Sequence, residues 1–220
     1  MNRFYSKMKY GELFWEIKKN DFKEFYSSLE GQQWGIQYYS NWAKRYVFTM
    51  NAATAVQQGC YTYPVEYYCG YGYQNINSIL RDSEKPCMKE AFAACRALLL
   101  VLCSAPRIPE NVIVYRVASD EFIAEMICRN KDRKPMQEKG FLSTSMTKTI
   151  AMHPEHLGSK YLLKIFVPKG AIGIYVNVIA QRDENELLLI SGQYLGMIAY
   201  PYYDKTIRKT IFECKLLNTF

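Results

Sequence analysis

The chain has 220 residues, of which 49% are apolar and 15% aromatic, enough for one sizeable core. Charged residues make up 22%, an ordinary globular level that excludes wholesale disorder. The net charge of +7 favours an acidic partner such as a nucleic acid, a phosphate-bearing ligand or an acidic protein face. No dense Lys/Arg run occurs, however, so ordinary solubilising charge explains the excess equally well.

The seven cysteines are odd in number and include no CxxC pair, which argues against a disulfide framework or a zinc site and favours a reducing compartment. The first 20 residues lack the apolar centre of a signal peptide. We therefore expect a protein that is cytoplasmic in the producing cell or is delivered into a target cell. The apolar run "ALLLVLCSAP" (97–106) is too short to span a bilayer, which indicates a buried helix and no membrane partner.

Helical patterns occupy the first half of the chain. Apolar residues at helical spacing predict one or two amphipathic helices over residues 10–30. Residues 74–81, at the end of a Tyr-rich stretch, predict another helix. Residues 87–105 predict the clearest helix, which Pro106 stops. We expect residues 1–60 to form a helical extension or part of the helical layer of the core.

Strand-like patterns dominate the second half. "NVIVYRVA" (111–118) is rich in β-branched residues, and the helix predicted over 119–128 has Ser119 as its N-cap. Further strands are predicted for most of the following segments: residues 140–146, 160–168, 171–178, 186–192, 194–200 and 205–216. Helices first and strands later is the order of an α+β fold. No GxGxxG follows a first strand, so a Rossmann cofactor site is not supported.

Polar side chains accompany two of these strands. Arg116 ends the first strand, and a buried guanidinium needs an anionic partner because an unpaired buried charge is costly. Ser143 and Ser145 in "FLSTSM" share one face of a strand, and their hydroxyls are suited to orienting a carboxylate. Taken alone, these residues also fit a solvent-reaching Arg and a solvated strand face.

The stretch "RDENELLL" (182–189) sets two carboxylates, Glu184 and Glu186, two residues apart at the start of an apolar run. In a strand they face the same way, and their repulsion raises one pKa. The plain alternative is an acidic loop before a strand. His153 and His156 hint at a metal pair, but Pro154 lies between them without a clear third ligand, so we expect a solvated loop and no metal.

Five motifs together resemble the ADP-ribosyltransferases of the Arg–Ser–Glu class. They are "INSILR" (76–81), "VIVYR" (112–116), "GFLSTSM" (140–146), "VPKGAIGIY" (167–175) and "ENELLL" (184–189). The class includes clostridial binary-toxin enzyme components, Rho-modifying exoenzymes and arginine-specific transferases. The resemblance implies a single domain over residues 1–220, with N-terminal helices and a mainly antiparallel two-sheet core around an NAD cleft. It also implies a mono-ADP-ribosyltransferase that acts as a bacterial toxin or effector.

The resemblance makes Glu186, Ser143, Glu184 and Arg116 the catalytic residues. Glu186 stabilises the oxocarbenium-like ribose that forms when the nicotinamide–ribose bond breaks, and Ser143 positions it. Glu184 reaches the acceptor. In the class an E-x-E pattern accompanies arginine acceptors, whereas Gln at the first position accompanies Asn or other acceptors, so a protein arginine is the expected acceptor.

The resemblance also assigns the contacts with NAD. Arg116 and Arg81 bind the diphosphate. The other expected contacts are the backbone of Val117 with the nicotinamide amide, Thr144 and Ser145 in the nicotinamide pocket wall, and Tyr73 and Asn77.

Three departures from the class stand out. Val117 replaces a common Gly. No aromatic residue follows Ser145 before Tyr161 to cover nicotinamide, so Met152 or His153 is the expected substitute. The loop before Glu184 also lacks the aromatic residue that often recognises the target protein. Two alternatives therefore stay open: a nucleic-acid acceptor, or a catalytically weak module that keeps the fold and binds a partner.

Overall fold

The computed structural model describes residues 3–56, 63–82, 89–180 and 184–217. Its α-helices, in chain order, are α1 (Arg3–Tyr10), α2 (Ser28–Val56), α3 (Pro64–Tyr67), α4 (Tyr73–Arg81), α5 (Lys89–Ser104) and α6 (Asp120–Lys131). A π-helical turn, Tyr68–Gly72, joins α3 to α4. Short 3₁₀ helices occur at Lys19–Asp21, Lys148–Met152, Pro154–His156 and Val176–Val178.

Within the described residues, nine strands complete the fold. They are β1 (Val112–Ala118), β2 (Met136–Glu138), β3 (Leu142–Ser145), β4 (Tyr161–Val167), β5 (Gly173–Tyr175), β6 (Glu186–Leu189), β7 (Gln193–Met197), β8 (Tyr202–Asp204) and β9 (Lys209–Leu217). Their order is β2-β7-β9-β4-β1-β3-β6-β5, with β8 paired to β9. Every pairing is antiparallel except β4 with β9, so the predicted α+β class with a mainly antiparallel sheet is confirmed.

The sheet consists of two blocks. The first block is β2, β7, β8, β9, β4 and β1, and the second block is β3, β6 and β5. They are joined through β1 and β3, which share a single register pair, Tyr115 with Ser145. The predicted two-sheet core thus takes the form of two ladders held in one hydrogen-bonded path.

β1 is buried on both faces. Val112 and Val114 point into the main core beneath the helices, while Ile113 and Tyr115 point into a second, smaller core. This alternation follows from the two-residue repeat of a strand. It explains why the segment has the continuous apolar character of a strand that is covered on both sides.

The helix α2 packs closely against the second block. A Cβ built on Gly35 would lie 2.0 Å from the ring of Tyr175, and one on Gly31 would lie 2.9 Å from the Cβ of Met146. Both distances are shorter than real Cβ contacts, so glycine is required for this approach. α2 therefore lies directly behind the strands that carry the polar motifs.

The helices predicted over residues 10–30 are wrong. Between α1 and α2 the chain is largely irregular, and two of its residues form isolated bridges, Lys23 with Val112 and Phe25 with Thr147. Of the apolar side chains that suggest a helix, Phe25 is 2% exposed and docks on the sheet, whereas Tyr26 and Leu29 are exposed. Tertiary packing therefore outweighs the apparent period.

Other boundaries need smaller corrections. Residues 176–178, predicted as strand, form a 3₁₀ helix after β5, and residues 205–208 form the turn between β8 and β9. The prediction overlooked β2, which has three residues in a charged stretch. The predicted cap is present, because the Ser119 hydroxyl accepts from the backbone N–H of Phe122 at 3.2 Å.

The apolar run at 97–106 lies mostly in α5, with Leu98 and Leu102 buried and Leu100 72% exposed. In the described part of the chain, no helix is both long and apolar enough to cross a membrane. The five described cysteines are free thiols at 69, 95, 103, 128 and 214. The other two, together with the predicted first residues of the 87–105 helix, lie outside the described residues.

Candidate active site

A cleft of about 280 Å³ opens where the two blocks diverge beyond the Tyr115–Ser145 pair. Apart from the expected nicotinamide cover, it contains the ten residues that the sequence predicts for the site: Tyr73, Asn77, Arg81, Arg116, Val117, Ser143, Thr144, Ser145, Glu184 and Glu186. Six more residues line it: Tyr68, Cys69, Tyr115, Ile150, Glu155 and His156. The fold thus brings four distant parts of the sequence together near the point where β1 and β3 share their single register pair.

Ser143 and Glu186 contact each other across β3 and β6. The Ser143 hydroxyl donates to Oε1 of Glu186 at 2.6 Å. The register pairs Ser143 with Leu188 and Ser145 with Glu186, so the two side chains are diagonal neighbours on one face. Glu186 is 2% exposed, and its carboxylate is therefore held in a low-dielectric wall of the cleft.

The next two hydroxyls hold the backbone. Thr144 donates to the carbonyl of Leu187 at 2.6 Å, and Ser145 donates to the carbonyl of Glu184 at 2.8 Å. Both side chains are buried, at 4% and 3% exposure. The Ser-Thr-Ser motif therefore ties β3 to the segment that leads into β6.

Glu184 is not in a strand, so the strand argument for its orientation is wrong. β6 begins at Glu186, and Asn185 between the two acids has a φ of 50°, in the left-handed region. Asn is one of the few residues that tolerate this conformation. Both carboxylates nevertheless line the same cleft, with Glu186 buried and Glu184 half-buried.

Asn185 anchors this turn. Its Nδ2 donates to the carbonyl of Ser28 at the start of α2 at 2.6 Å, and its Oδ1 accepts from the hydroxyl of Tyr175. The backbone N–H of Glu186 donates to Oδ1 of Asn177 at 2.8 Å. These Asn residues were not predicted as part of the site, although an Asn between two acids is itself a turn signal.

Arg116 is held on two sides. Its Nη1 donates to the carbonyl of Ser143 at 2.9 Å, and its Nη2 lies 3.8 Å from Oε2 of Glu138. Burial lowers the pKa of Arg116 from its ordinary value, and the Glu138 carboxylate opposes that shift. The Arg116 side chain thus spans the junction between the two blocks. Val117, the next residue, lies in the cleft wall, past the point where β1 is paired with β3.

Arg81 ends α4 and reaches the same carboxylate. Its Nε and Nη2 donate to the two oxygens of Glu138, each at 3.0 Å. Glu138 is 3% exposed and lies in β2. Its role was not predicted from the sequence, because it lies in a short charged stretch that is 57 residues from Arg81.

Asn77, Tyr68 and Tyr73 line the side of the cleft that is formed by α4 and the π-helical turn before it. Asn77 accepts from the backbone N–H of Phe141 at 2.8 Å and donates to the Tyr68 hydroxyl at 3.0 Å, so it fixes α4 against the approach to β3. Burial raises the pKa of Tyr68 above its ordinary value of 10.0. Tyr73 packs edge-on against Tyr68, with ring centroids 6.4 Å apart.

The loop after β3 contributes different side chains from those expected. Met152 is 50% exposed and lies outside the cleft lining, so the structure does not place it where the prediction expects it. His156 and Ile150 line the cleft in its place. His153, the other expected substitute, is also outside the lining, but its ligand-type atoms lie within 4.8 Å of those of Glu155 and Glu184. Such a group with an exposed acid does not by itself specify a metal ion.

The model of the ADP-ribosyltransferase exoenzyme family matches residues 31–213. The chain belongs to this family. It is therefore by class an NAD-dependent mono-ADP-ribosyltransferase, with NAD as its substrate. A comparison with curated protein sequences gives no match.

Solved structures of bacterial ADP-ribosylating toxins share the fold. BECa of a binary enterotoxin of C. perfringens, solved with NADH, has a TM-score of 0.70 at 21% identity, and the match covers 89% of this chain and 50% of BECa. Plx2a of Paenibacillus larvae gives 0.69 at 16% identity, covering 89% and 99%. C3stau2 of S. aureus, solved with NAD, gives 0.65 at 18% identity, covering 90% and 100%. The chain thus spans half of BECa and nearly all of the other two.

Proposed function

We propose that this ADP-ribosyltransferase transfers ADP-ribose from NAD to the guanidinium of a protein arginine. The observation that carries the proposal is the Ser143–Glu186 hydrogen bond in a cleft that Glu184 also lines. One carboxylate is buried and fixed by a hydroxyl, and the other is half-buried two residues away. Two carboxylates held in different environments suit a reaction that involves two positively charged groups, the ribose on which charge develops and the incoming guanidinium.

In the proposed reaction the bond between the ribose C1′ and the nicotinamide nitrogen breaks, and its electron pair leaves with neutral nicotinamide. Positive charge develops on the ribose ring, and the Glu186 carboxylate stabilises it. An electrostatic contribution of this kind is typically worth about 3–4 kcal/mol, or roughly 10²–10³ in rate. Because Ser143 already holds Glu186, little reorganisation is needed when the charge appears.

Glu184 is the proposed acceptor-side residue. A carboxylate forms charge-assisted hydrogen bonds with a planar guanidinium and accepts the proton that its nitrogen loses on attacking C1′. Glutamate at this position, rather than glutamine, is the reason for preferring an arginine acceptor. Arg81 and Arg116 are the proposed diphosphate ligands, since both guanidinium groups line the cleft.

The experiment compares wild type with Glu186→Gln and Glu184→Gln, using NAD labelled in its adenylate part. Incubation with lysate and with agmatine, a small guanidinium acceptor, reports transfer, while nicotinamide release reports bond cleavage. We expect Glu186→Gln to lose both activities by about 10²–10³. Glu184→Gln keeps nicotinamide release and loses transfer to agmatine.

The matched control is Glu90→Gln, which changes an exposed carboxylate in the first turn of α5, outside the cleft lining. It is expected to keep wild-type activity. Label that proteases remove identifies a protein acceptor. Label that nucleases remove, with agmatine unmodified, contradicts the arginine assignment and favours a nucleic-acid acceptor, which the +7 charge and the Tyr-rich wall permit. Wild-type protein that releases no nicotinamide contradicts the enzyme proposal and favours a binding module.

The toxin class of the family also suggests the place of action. We infer that the chain acts as a bacterial toxin or effector on a component of a target cell. Transfer in lysate of a foreign cell, compared with lysate of the producing cell, tests this point. If the same component were labelled equally in both lysates, the enzyme would not distinguish a target cell from the producing cell, and this would argue against the toxin proposal.

A further inference from the structure

Glu138 lies between the two arginines that line the cleft. Oε1 accepts from Nε of Arg81 at 3.0 Å and from the backbone N–H of Gly140 at 2.8 Å. Oε2 accepts from Nη2 of Arg81 at 3.0 Å and lies 3.8 Å from Nη2 of Arg116. The carboxylate side chain is 3% exposed, whereas those of Arg81 and Arg116 are 45% and 22% exposed. One buried anion thus contacts two cations that reach toward solvent.

This geometry fixes the direction of each guanidinium. Two parallel hydrogen bonds hold the plane of Arg81, which leaves the outer part of the group directed away from Glu138. Arg116 is held between Glu138 and the Ser143 carbonyl. An unrestrained arginine samples many rotamers, and ordering them on binding weakens affinity. The carboxylate imposes that order beforehand.

Glu138 also offsets a repulsion. The charge of Arg81 lowers the pKa of Arg116, and the charge of Glu138 raises it. Two guanidiniums in one wall therefore need an anion between them to stay in place before a phosphate group arrives. The Gly140 N–H fixes that anion in turn, and a Cβ on Gly140 would lie 3.1 Å from Oε1 of Glu138 and 2.8 Å from Oδ1 of Asn77.

We propose that Glu138 is a positioning residue that orients Arg81 and Arg116 for the diphosphate of NAD. The proposal rests on the assignment of these arginines as diphosphate ligands. It predicts that Glu138 acts on the affinity for the ADP part of NAD and acts through Arg81. It also predicts that Glu138 leaves recognition of the nicotinamide ring unchanged.

The experiment measures ADP and nicotinamide binding by titration calorimetry, without turnover, in wild type, Glu138→Gln and Glu138→Asp. Loss of one hydrogen bond to a charged group corresponds to about a tenfold change in affinity. We therefore expect ADP to bind about tenfold more weakly to both variants, with nicotinamide affinity unchanged. Asp keeps the charge with a shorter reach, so it serves if the Gln variant does not fold. The matched control, Glu90→Gln, changes an exposed carboxylate on α5 outside the cleft lining and keeps wild-type ADP affinity.

A double-mutant cycle separates positioning from a purely structural role. Arg81→Ala is expected to weaken ADP by about tenfold or more. In that background Glu138→Gln is expected to add about threefold or less, because its main partner is gone. A full additional tenfold loss, unchanged or tighter ADP binding in both Glu138 variants, or a lowered melting temperature with normal ADP affinity overturns the inference. Unchanged ADP affinity in Arg81→Ala overturns the arginine assignment itself.

Discussion

The Ser143 hydroxyl donates to Oε1 of Glu186 at 2.6 Å, across strands whose register places the two side chains as diagonal neighbours on one face. The pair links β3 and β6 inside the cleft. Because Ser143 is held by its strand, the carboxylate it contacts has a fixed position relative to the sheet. The first prediction concerns this hydrogen bond.

Ser143→Ala is expected to lower the rate of nicotinamide release by roughly 10–100-fold, since a hydrogen bond to a charged group is worth about 1.5–3 kcal/mol. The loss is expected in kcat rather than in KM for NAD, because the bond acts on the carboxylate. The control is Ser104→Ala, which removes a hydroxyl that donates to the Val101 carbonyl on α5, outside the cleft lining. Equal kcat values for Ser143→Ala and wild type would contradict the positioning role.

The turn at Asn185 gives the second prediction, on stability. Asn185→Ala places a Cβ-bearing residue of poor left-handed preference at φ 50° and removes the side-chain bonds to Ser28 and Tyr175. We expect a loss of about 2–3 kcal/mol in the free energy of unfolding. Asn185→Gly tolerates the backbone angle but also lacks the bonds, so its loss is expected to be smaller.

Urea denaturation of the two variants separates backbone strain from side-chain bonding. The expected order of stability is wild type, then the Gly variant, then the Ala variant. An Ala variant as stable as the Gly variant would show that the left-handed angle contributes nothing. Nicotinamide release in the folded variants reports how far the turn also aligns Glu186.

The third prediction concerns pH and the loop that carries Ile150 and His156. Asp204 accepts from Nζ of Lys148 at 2.9 Å and from the backbone N–H of Thr206 at 2.8 Å. The Lys148 hydrogen bond is the main cause that lowers the pKa of Asp204 below 3.8. A depressed carboxylate pKa means that its stabilising contribution is complete above pH 3.8 and is lost as the pH falls through the folded-state pKa.

Asp204→Asn keeps an acceptor for the turn but removes the ion pair. We expect it to be less stable than wild type by about 1 kcal/mol or less at pH 7, because the Lys148 partner is partly exposed. The difference is expected to shrink below pH 3.8. Denaturation curves at pH 7 and pH 3 check this, with Lys148→Gln as the partner control. A difference that grows on acidification would contradict the sign.

Several parts of the fold follow from the sequence because local patterns and tertiary environment agree. β1 and β4 have continuous β-branched or apolar runs, and α6 has a capping serine and acids in its first turn. The region before α2 does not follow, because only some of its apolar side chains are buried, and Phe25 docks on the sheet without a helix. α2 contains Gly31 and Gly35, which are required for its close packing on the second block. Glycine has a low helix propensity, so local sequence argues against a helix there.

The candidate site divides in the same way. Arg116, Ser143 and Glu186 were found because their motifs have a recognisable order. Glu138 and Asn185 were not, since the partners that link them to the helices, Arg81 and Ser28, are more than 50 residues away. Sequence spacing carries no signal for such contacts; only the folded register brings them together.

The single Tyr115–Ser145 pair has a mechanical consequence. The arginines belong to the first block and the helix beside it, whereas Ser143 and Glu186 belong to the second block. A dinucleotide bound at both ends would link the two blocks across this junction and oppose their movement relative to each other. We expect bound ADP-ribose to slow amide hydrogen exchange in β1 and β3 together, and ADP, which lacks the second ribose, to protect β1 alone.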